Sequence, residues 1–256
     1  MSELPACFTT RGASRRDYHL IAPENRAPSV LPELAGTGVV KLVTPRRAPA
    51  AFAQYLLEID PGGGSAVARA AIDERFEHCF YGLAGGAVLS AGGAQHTLVG
   101  GRFAYVPAGV PITLDNPAGA GPARVLWFKR LYVPVHGLGA PECVFGDRAA
   151  MAEPEYQPGL YRTVLFGDGD PRFDFAVIRM RFEPGTDLAM TELHDEEHGL
   201  YMTAGRGTYL LGENVHEVAE GDFIYIAPYC PQSFVADPRV GAEYLLYKDV
   251  CRDGWS

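Results

Sequence analysis

The chain carries its own pattern twice, and this duplication limits its fold more than any other feature. The octapeptides beginning at His78 (HCFYGLAG) and His198 (HGLYMTAG) share one frame. Gly101 to Pro111 (GRFAYVPAGVP) and Gly221 to Pro231 (GDFIYIAPYCP) share a second, and each is followed by a strand ending in lysine, RVLWFK to Lys129 and EYLLYK to Lys248. Upstream, Phe52 to Gly62 (FAQYLLEIDPG) parallels Phe175 to Gly185 (FAVIRMRFEPG). The four blocks keep their order, with a three-residue length difference before the histidine block. By length alone, 256 residues allow one large domain or two small ones. The repeat decides for two.

Each half reads as short strands separated by turn residues. Candidates are Val39–Val43, Tyr55–Ile59, Phe103–Val106 and Val125–Phe128 in the first half. In the second they are Leu165-Phe166, Phe175–Phe182, Leu200–Thr203, Thr208–Leu211, Phe223–Ile226 and Tyr244–Tyr247. In Phe175–Phe182 the alternation puts Ile178, Met180 and Phe182 on one face and Arg179 and Arg181 on the other. The 30 glycines and 20 prolines punctuate these runs, and Gly205-Arg-Gly and Gly212-Glu-Asn read as turns. The expectation is an all-β chain of two antiparallel β-barrel units, jelly-roll-like. Residues 1–140 hold an arm (1–36) with little regular structure and the first unit. Residues 141–256 hold the second unit, after a Pro/Gly-rich linker from about His136 to Gly159.

Charge and composition remove several classes. A net charge of −9 is poor for binding a phosphate backbone, so no nucleic-acid partner is expected. No apolar run nears ~20 residues and the start lacks a secretory pattern, so no membrane partner is expected. Five scattered cysteines (Cys7, Cys79, Cys143, Cys230, Cys251) form no CxxC pair, which fits a reducing, cytoplasmic setting. Only three of 22 basic residues are lysines: Lys41, Lys129 and Lys248.

The chemistry concentrates in Met190 to Gly199 (MTELHDEEHG). On a helix Glu192 would point about 200° away from His194. On a strand, Glu192 and His194 are i,i+2 and share a face, and His198 joins them past a tight turn. One carboxylate and two imidazoles suit a divalent first-row metal, with Mn, Fe and Zn all open.

This pattern resembles the cupin family, whose first motif carries HxH, a gap and Glu between glycines, and whose second reads G…PxGxPH. Here Gly185 and Gly205 bracket the block, Glu192-x-His194 stands at HxH and His198 stands at Glu. Gly221 to Gln232 stands at the second motif, with Gln232 at the histidine. The resemblance implies a metal set of Glu192, His194, His198 and Gln232, and two neutral nitrogens, an anion and an amide oxygen lean towards Mn²⁺. The E-x-H-x3-H block with a distal Gln, in the second half of a two-cupin chain, resembles the (S)-ureidoglycine aminohydrolase family. That resemblance covers essentially the whole chain. It implies a Mn²⁺-dependent hydrolase that releases ammonia from (S)-ureidoglycine to give (S)-ureidoglycolate in allantoin breakdown. It also implies substrate contacts from Tyr244 and Lys248, on one face of the last strand, with Glu192 and Gln232. Lys248 would bind carboxylate charge or manage a proton, and Glu192 would touch the substrate amino group. Homo-oligomerisation through sheet edges is implied as well.

Bland readings stand beside these. In the first half Ile72, Glu74, His78 and Ile112 occupy the four ligand positions, so no metal is expected there and His78 reads as structural. His19, His96, His136 and His216 have no second ligand nearby. Asp195, Glu196 and Glu197 read as a solvated acidic turn. Lys129 shares the repeat position of Lys248, so a lysine there could pair with a carboxylate in both halves. However, an ammonium buried near a metal cavity needs an anion, which a substrate carboxylate would supply. The rival functions are another metal-dependent cupin enzyme, such as a dioxygenase or isomerase, and a non-enzymatic ligand-binding cupin.

Overall fold

A computed structural model describes residues 10–47, 49–65 and 75–249. It is built of strands, in two antiparallel ten-stranded sheets, each wound around its own core. The fold expected from the repeat is therefore the one observed, a bicupin. No helix among the described residues is long and apolar enough to cross a membrane.

The two compact units interleave in sequence, so a cut at 140/141 parts residues 10–26 from the sheet they join. One unit gathers residues 27–151 and Leu165–Asp174; the other gathers residues up to Arg26 together with Ala152–Val164 and Phe175–Asp249. In the first, Phe76–Ala84 lies between Arg102–Val106 and Ala123–Leu131, and Phe52–Ser65 follows on the far side of the latter. In the second, His198–Leu211 lies between Phe223–Ile226 and Ala242–Asp249, followed by Phe175–Phe182. The register repeats too. His78 stands opposite Lys129 and Val106, and His198 stands opposite Lys248 and Ile226.

The alternation in Phe175–Phe182 has the expected consequence. Ile178, Met180 and Phe182 join the core of the second unit. Arg179 points the other way, nearly buried, and pairs with Glu153 and, at 2.6 Å, with Glu243. Arg181 also pairs with Glu153 and lies over the Tyr161 ring. Two facing arginines on one strand are tolerable because each guanidinium has a carboxylate.

Three expectations are corrected. Gly205-Arg206-Gly207 is no turn: it lies inside the 14-residue strand His198–Leu211. The register shifts just before Gly205, whose φ of 70° and 2.3 Å gap from a built Cβ to the Gly241 carbonyl oxygen leave room only for glycine. The strand bends there and changes partners, from Phe223–Ile226 to Asn214–Ala219 and Gln232–Ala236. The span from His136 to Gly159 is not structureless. Val144–Asp147 pairs along Arg102–Val106, and Glu155–Gln157 pairs with Leu160–Phe166. The expected arm contains strands: Tyr18–Ile21 pairs with Phe223–Ile226, and Ala13–Ser14 pairs with Tyr18–Ile21. In each unit the sheet neighbour of the histidine strand, Arg102–Val106 or Phe223–Ile226, thus has its outer edge covered by a further strand, as exposed strand edges require. The positions Ile72 and Glu74, and the cysteines Cys7 and Cys251, lie outside the described residues.

Candidate metal centre

The approach to the site is an extended segment tied to Gln232–Ala236. Leu188 N donates to Phe234 O at 2.9 Å, and Glu192 and Gln232 exchange both backbone hydrogen bonds, at 2.8 and 3.0 Å. Side chains alternate along it: Thr191, Leu193 and Asp195 are exposed, while Glu192, His194 and Glu196 turn inwards. Tyr229 fixes the next step, its N–H donating to His194 O at 2.7 Å. Tyr229 is the one non-glycine at positive φ (61°) among the described residues, and it stands where the cupin motif has glycine. Such a conformation costs roughly 1–3 kcal/mol and persists only where its surroundings hold it.

Three side chains converge. His194 Nε2 lies 3.2 Å from His198 Nε2 and 3.0 Å from Gln232 Nε2. Ligands at His–metal bond lengths of 2.0–2.1 Å stand about 2.9 to 3.4 Å apart for octahedral to tetrahedral angles. The spacing therefore fits a shared divalent ion. Gln232 is buried, and its Oε1 accepts from the Tyr209 hydroxyl at 2.9 Å. Oxygen and nitrogen of an amide exchange by a flip, which turns the oxygen towards the histidines. His194, Glu196 and His198 each offer a ligand atom within 4.8 Å of the others. Burial, with the neighbouring His194 ring, pushes the His198 imidazole down to about 3, so it is neutral with a lone pair to give.

The carboxylate that groups with the two histidines is that of Glu196, while Glu192 is half-buried and bridged to Gln232 through its backbone. Burial raises the phenols of Tyr209 and Tyr244 well above their usual range, and the Glu192 charge adds to the rise in both. Tyr244 is buried in the core and hydrogen-bonded to Tyr209. Lys248, across from His198, sits 2.9 Å from Glu196.

Two readings of the acidic run change here. Only Asp195 is solvated. Glu197 is 2% exposed and accepts from the Tyr225 hydroxyl at 3.2 Å, and Glu196 is drawn inwards by Lys248 and His194. The ammonium of Lys248 therefore already has an anion beside it, so its burial by itself does not require a substrate carboxylate. Sequence reasoning also missed Tyr209. Its repeat partner is the buried Leu89, and Gln232 likewise stands against Ile112. Polar residues appearing together in one half, against aliphatic ones in the other, were a usable signal.

Two histidines and a carboxylate gathered in one of two cupin units make a candidate metal site in a bicupin. The family described as "Cupin domain" matches residues 178–246. The (S)-ureidoglycine aminohydrolase of Arabidopsis thaliana is 30% identical over 247 residues, 95% of this chain and 79% of the relative. That of Escherichia coli (strain K12) is 30% identical over 93% of this chain and 90% of its own length. The crystal structure of protein Ylba from E. coli superposes with a TM-score of 0.84 at 26% identity, covering 96% of this chain and 97% of that one. The chain belongs to the (S)-ureidoglycine aminohydrolase family.

Proposed function

We propose that the second unit hydrolyses (S)-ureidoglycine, releasing ammonia and leaving (S)-ureidoglycolate, with a Mn²⁺ held by Glu192, His194, His198 and Gln232. The observation that carries this reading is the convergence of His194, His198 and Gln232, with Glu192 bridged to Gln232, in a chain of this family. Bound there, the metal supplies Lewis-acid charge for the substrate carboxylate and an adjacent heteroatom.

The substrate carries amino, ureido and carboxylate groups on one carbon. The ureido nitrogen lone pair expels the amine, which leaves as ammonia after gaining its proton, and water adds to the resulting C=N carbon. Glu192 contacts the amino group, so the leaving nitrogen faces the barrel wall. Lys248 binds the carboxylate, and Gln232 and Tyr244 supply the polar wall that fixes which face water attacks. The reading includes a cytoplasmic homo-oligomer.

The test is purification, metal analysis and ammonia release from enzymatically generated ureidoglycine. Release no faster than the spontaneous rate sinks the assignment. Turnover that requires dioxygen would favour a dioxygenase instead.

A further inference from the structure

The reaction above makes no use of Glu196. Its side chain is 12% exposed, with Oε1 2.9 Å from Lys248 Nζ and Oε2 3.6 Å from His194 Nδ1. That Nδ1 is buried and carries no hydrogen bond among the described residues, while Nε2 of the same ring faces His198 and Gln232. An imidazole that offers Nε2 to a cation keeps its proton on Nδ1, and a buried N–H needs an acceptor. A gap of 3.6 Å is about half an ångström too long for a hydrogen bond, and the Glu196 carboxylate lies there to close it.

The first unit supplies an internal control. By the repeat, Phe76 stands where Glu196 does, and its ring lies 5.0 Å from the Lys129 ammonium. Where two of the four ligand positions are isoleucines, the position that faces the lysine is a ring and not a carboxylate.

We propose that Glu196 is a positioning residue. One carboxylate oxygen takes the His194 Nδ1–H, fixing tautomer and ring orientation, and the other fixes the Lys248 ammonium. One side chain thereby sets both the nitrogen that faces the metal and the cation that faces the substrate. This rests on His194 being a metal ligand, but not on the identity of the substrate.

The experiment titrates Mn²⁺ into purified, metal-stripped protein, comparing the unchanged chain with Glu196→Ala, Glu196→Gln and His198→Ala, each checked for native circular dichroism. Loss of such an outer partner weakens metal binding 10–100-fold. Glu196→Ala is expected to show that drop and a raised KM. Glu196→Gln, whose amide oxygen still accepts the Nδ1–H, is expected to recover metal affinity to within a few-fold but not KM. His198→Ala is expected to lose binding altogether. Wild-type affinity in Glu196→Ala overturns the proposal. So does complete loss in both Glu196 variants, which would make Glu196 a ligand. Failure of the unchanged chain to bind metal overturns the ligand set and this proposal with it. Metal binding without ammonia release overturns only the reaction.

Discussion

The two units put the same histidine at the same place and do opposite things with it. In the second, His198 meets His194, which in turn meets Gln232, with Leu246 and Leu200 as the strand neighbours of His198. In the first, Trp127 takes the Leu246 position and its indole N–H donates to His78 Nδ1 at 3.1 Å, while Phe80 stacks on Trp127 at 5.6 Å between centroids. Tyr55 closes on the same indole. Aromatic volume fills the first barrel at the level where the second keeps a polar cluster. A buried Glu–Tyr pair beside the histidine survives in both, Glu77 with Tyr105 and Glu197 with Tyr225. The lesson is that the scaffold around the histidine is shared, and that the polar cluster of the second unit differs from the first at a few positions: Tyr209 against Leu89, Gln232 against Ile112, Glu196 against Phe76.

The contrast is broken most directly by activity. His198→Ala is expected to abolish ammonia release and His78→Ala to leave the rate within a few-fold; equal losses would mean that the first unit is catalytic. Next in size, Trp127→Ala should cost about 3–5 kcal/mol in denaturant unfolding, as large aromatic cavities do, without loss of Mn²⁺ binding. In the metal-free protein Gln232→Ile, which imports the first unit's residue, takes the Gln acceptor from Tyr209. It should cost about 1–3 kcal/mol and most of the metal affinity. Adding Tyr209→Leu should restore only part of the stability, because the buried Tyr244 phenol loses its partner, and none of the affinity; recovery of both would remove Gln232 from the ligand set.

Acid sharpens the comparison further. His198 titrates near 3 in the folded chain and near 6.5 unfolded, so between those values the unfolded state binds more protons. Its contribution to the metal-free protein is complete above about pH 6.5 and is lost as pH falls towards 3, by at most about 1.4 kcal/mol per unit. In His198→Phe that slope should disappear. The smallest effect is a matched pair: Tyr105→Phe and Tyr225→Phe should each cost about 1 kcal/mol, because the same hydrogen bond is removed twice.

Much of this was readable in the residues. Four repeated blocks placed the strands, and the Ile178, Met180, Phe182 face was set by alternation alone. What escaped was whatever depends on partners distant in sequence. Gly205 to Gly207 carries turn residues, yet the strand continues, because glycine also serves a bulge pressed against Gly241. Glu197 looks solvated in a run of three acids, and only its pairing across the sheet with Tyr225 buries it. The repeat held that answer at Glu77 and Tyr105, but a shared carboxylate and phenol gain meaning only once the strands are paired. Lys248 was judged by its charge, and its anion, Glu196, lay four residues beyond Glu192 in a segment whose inward face was not yet known.

The strand Tyr18–Ile21, which covers the edge of Phe223–Ile226, has a consequence for synthesis. It leaves the ribosome roughly two hundred residues before its partner exists. The second barrel cannot close until nearly the whole chain is made, while the first barrel can fold on the way, as domains do during translation. Long sequence separation between paired strands slows folding. A chaperone-depleted translation should therefore trap this protein with its aromatic unit formed and its histidines still apart.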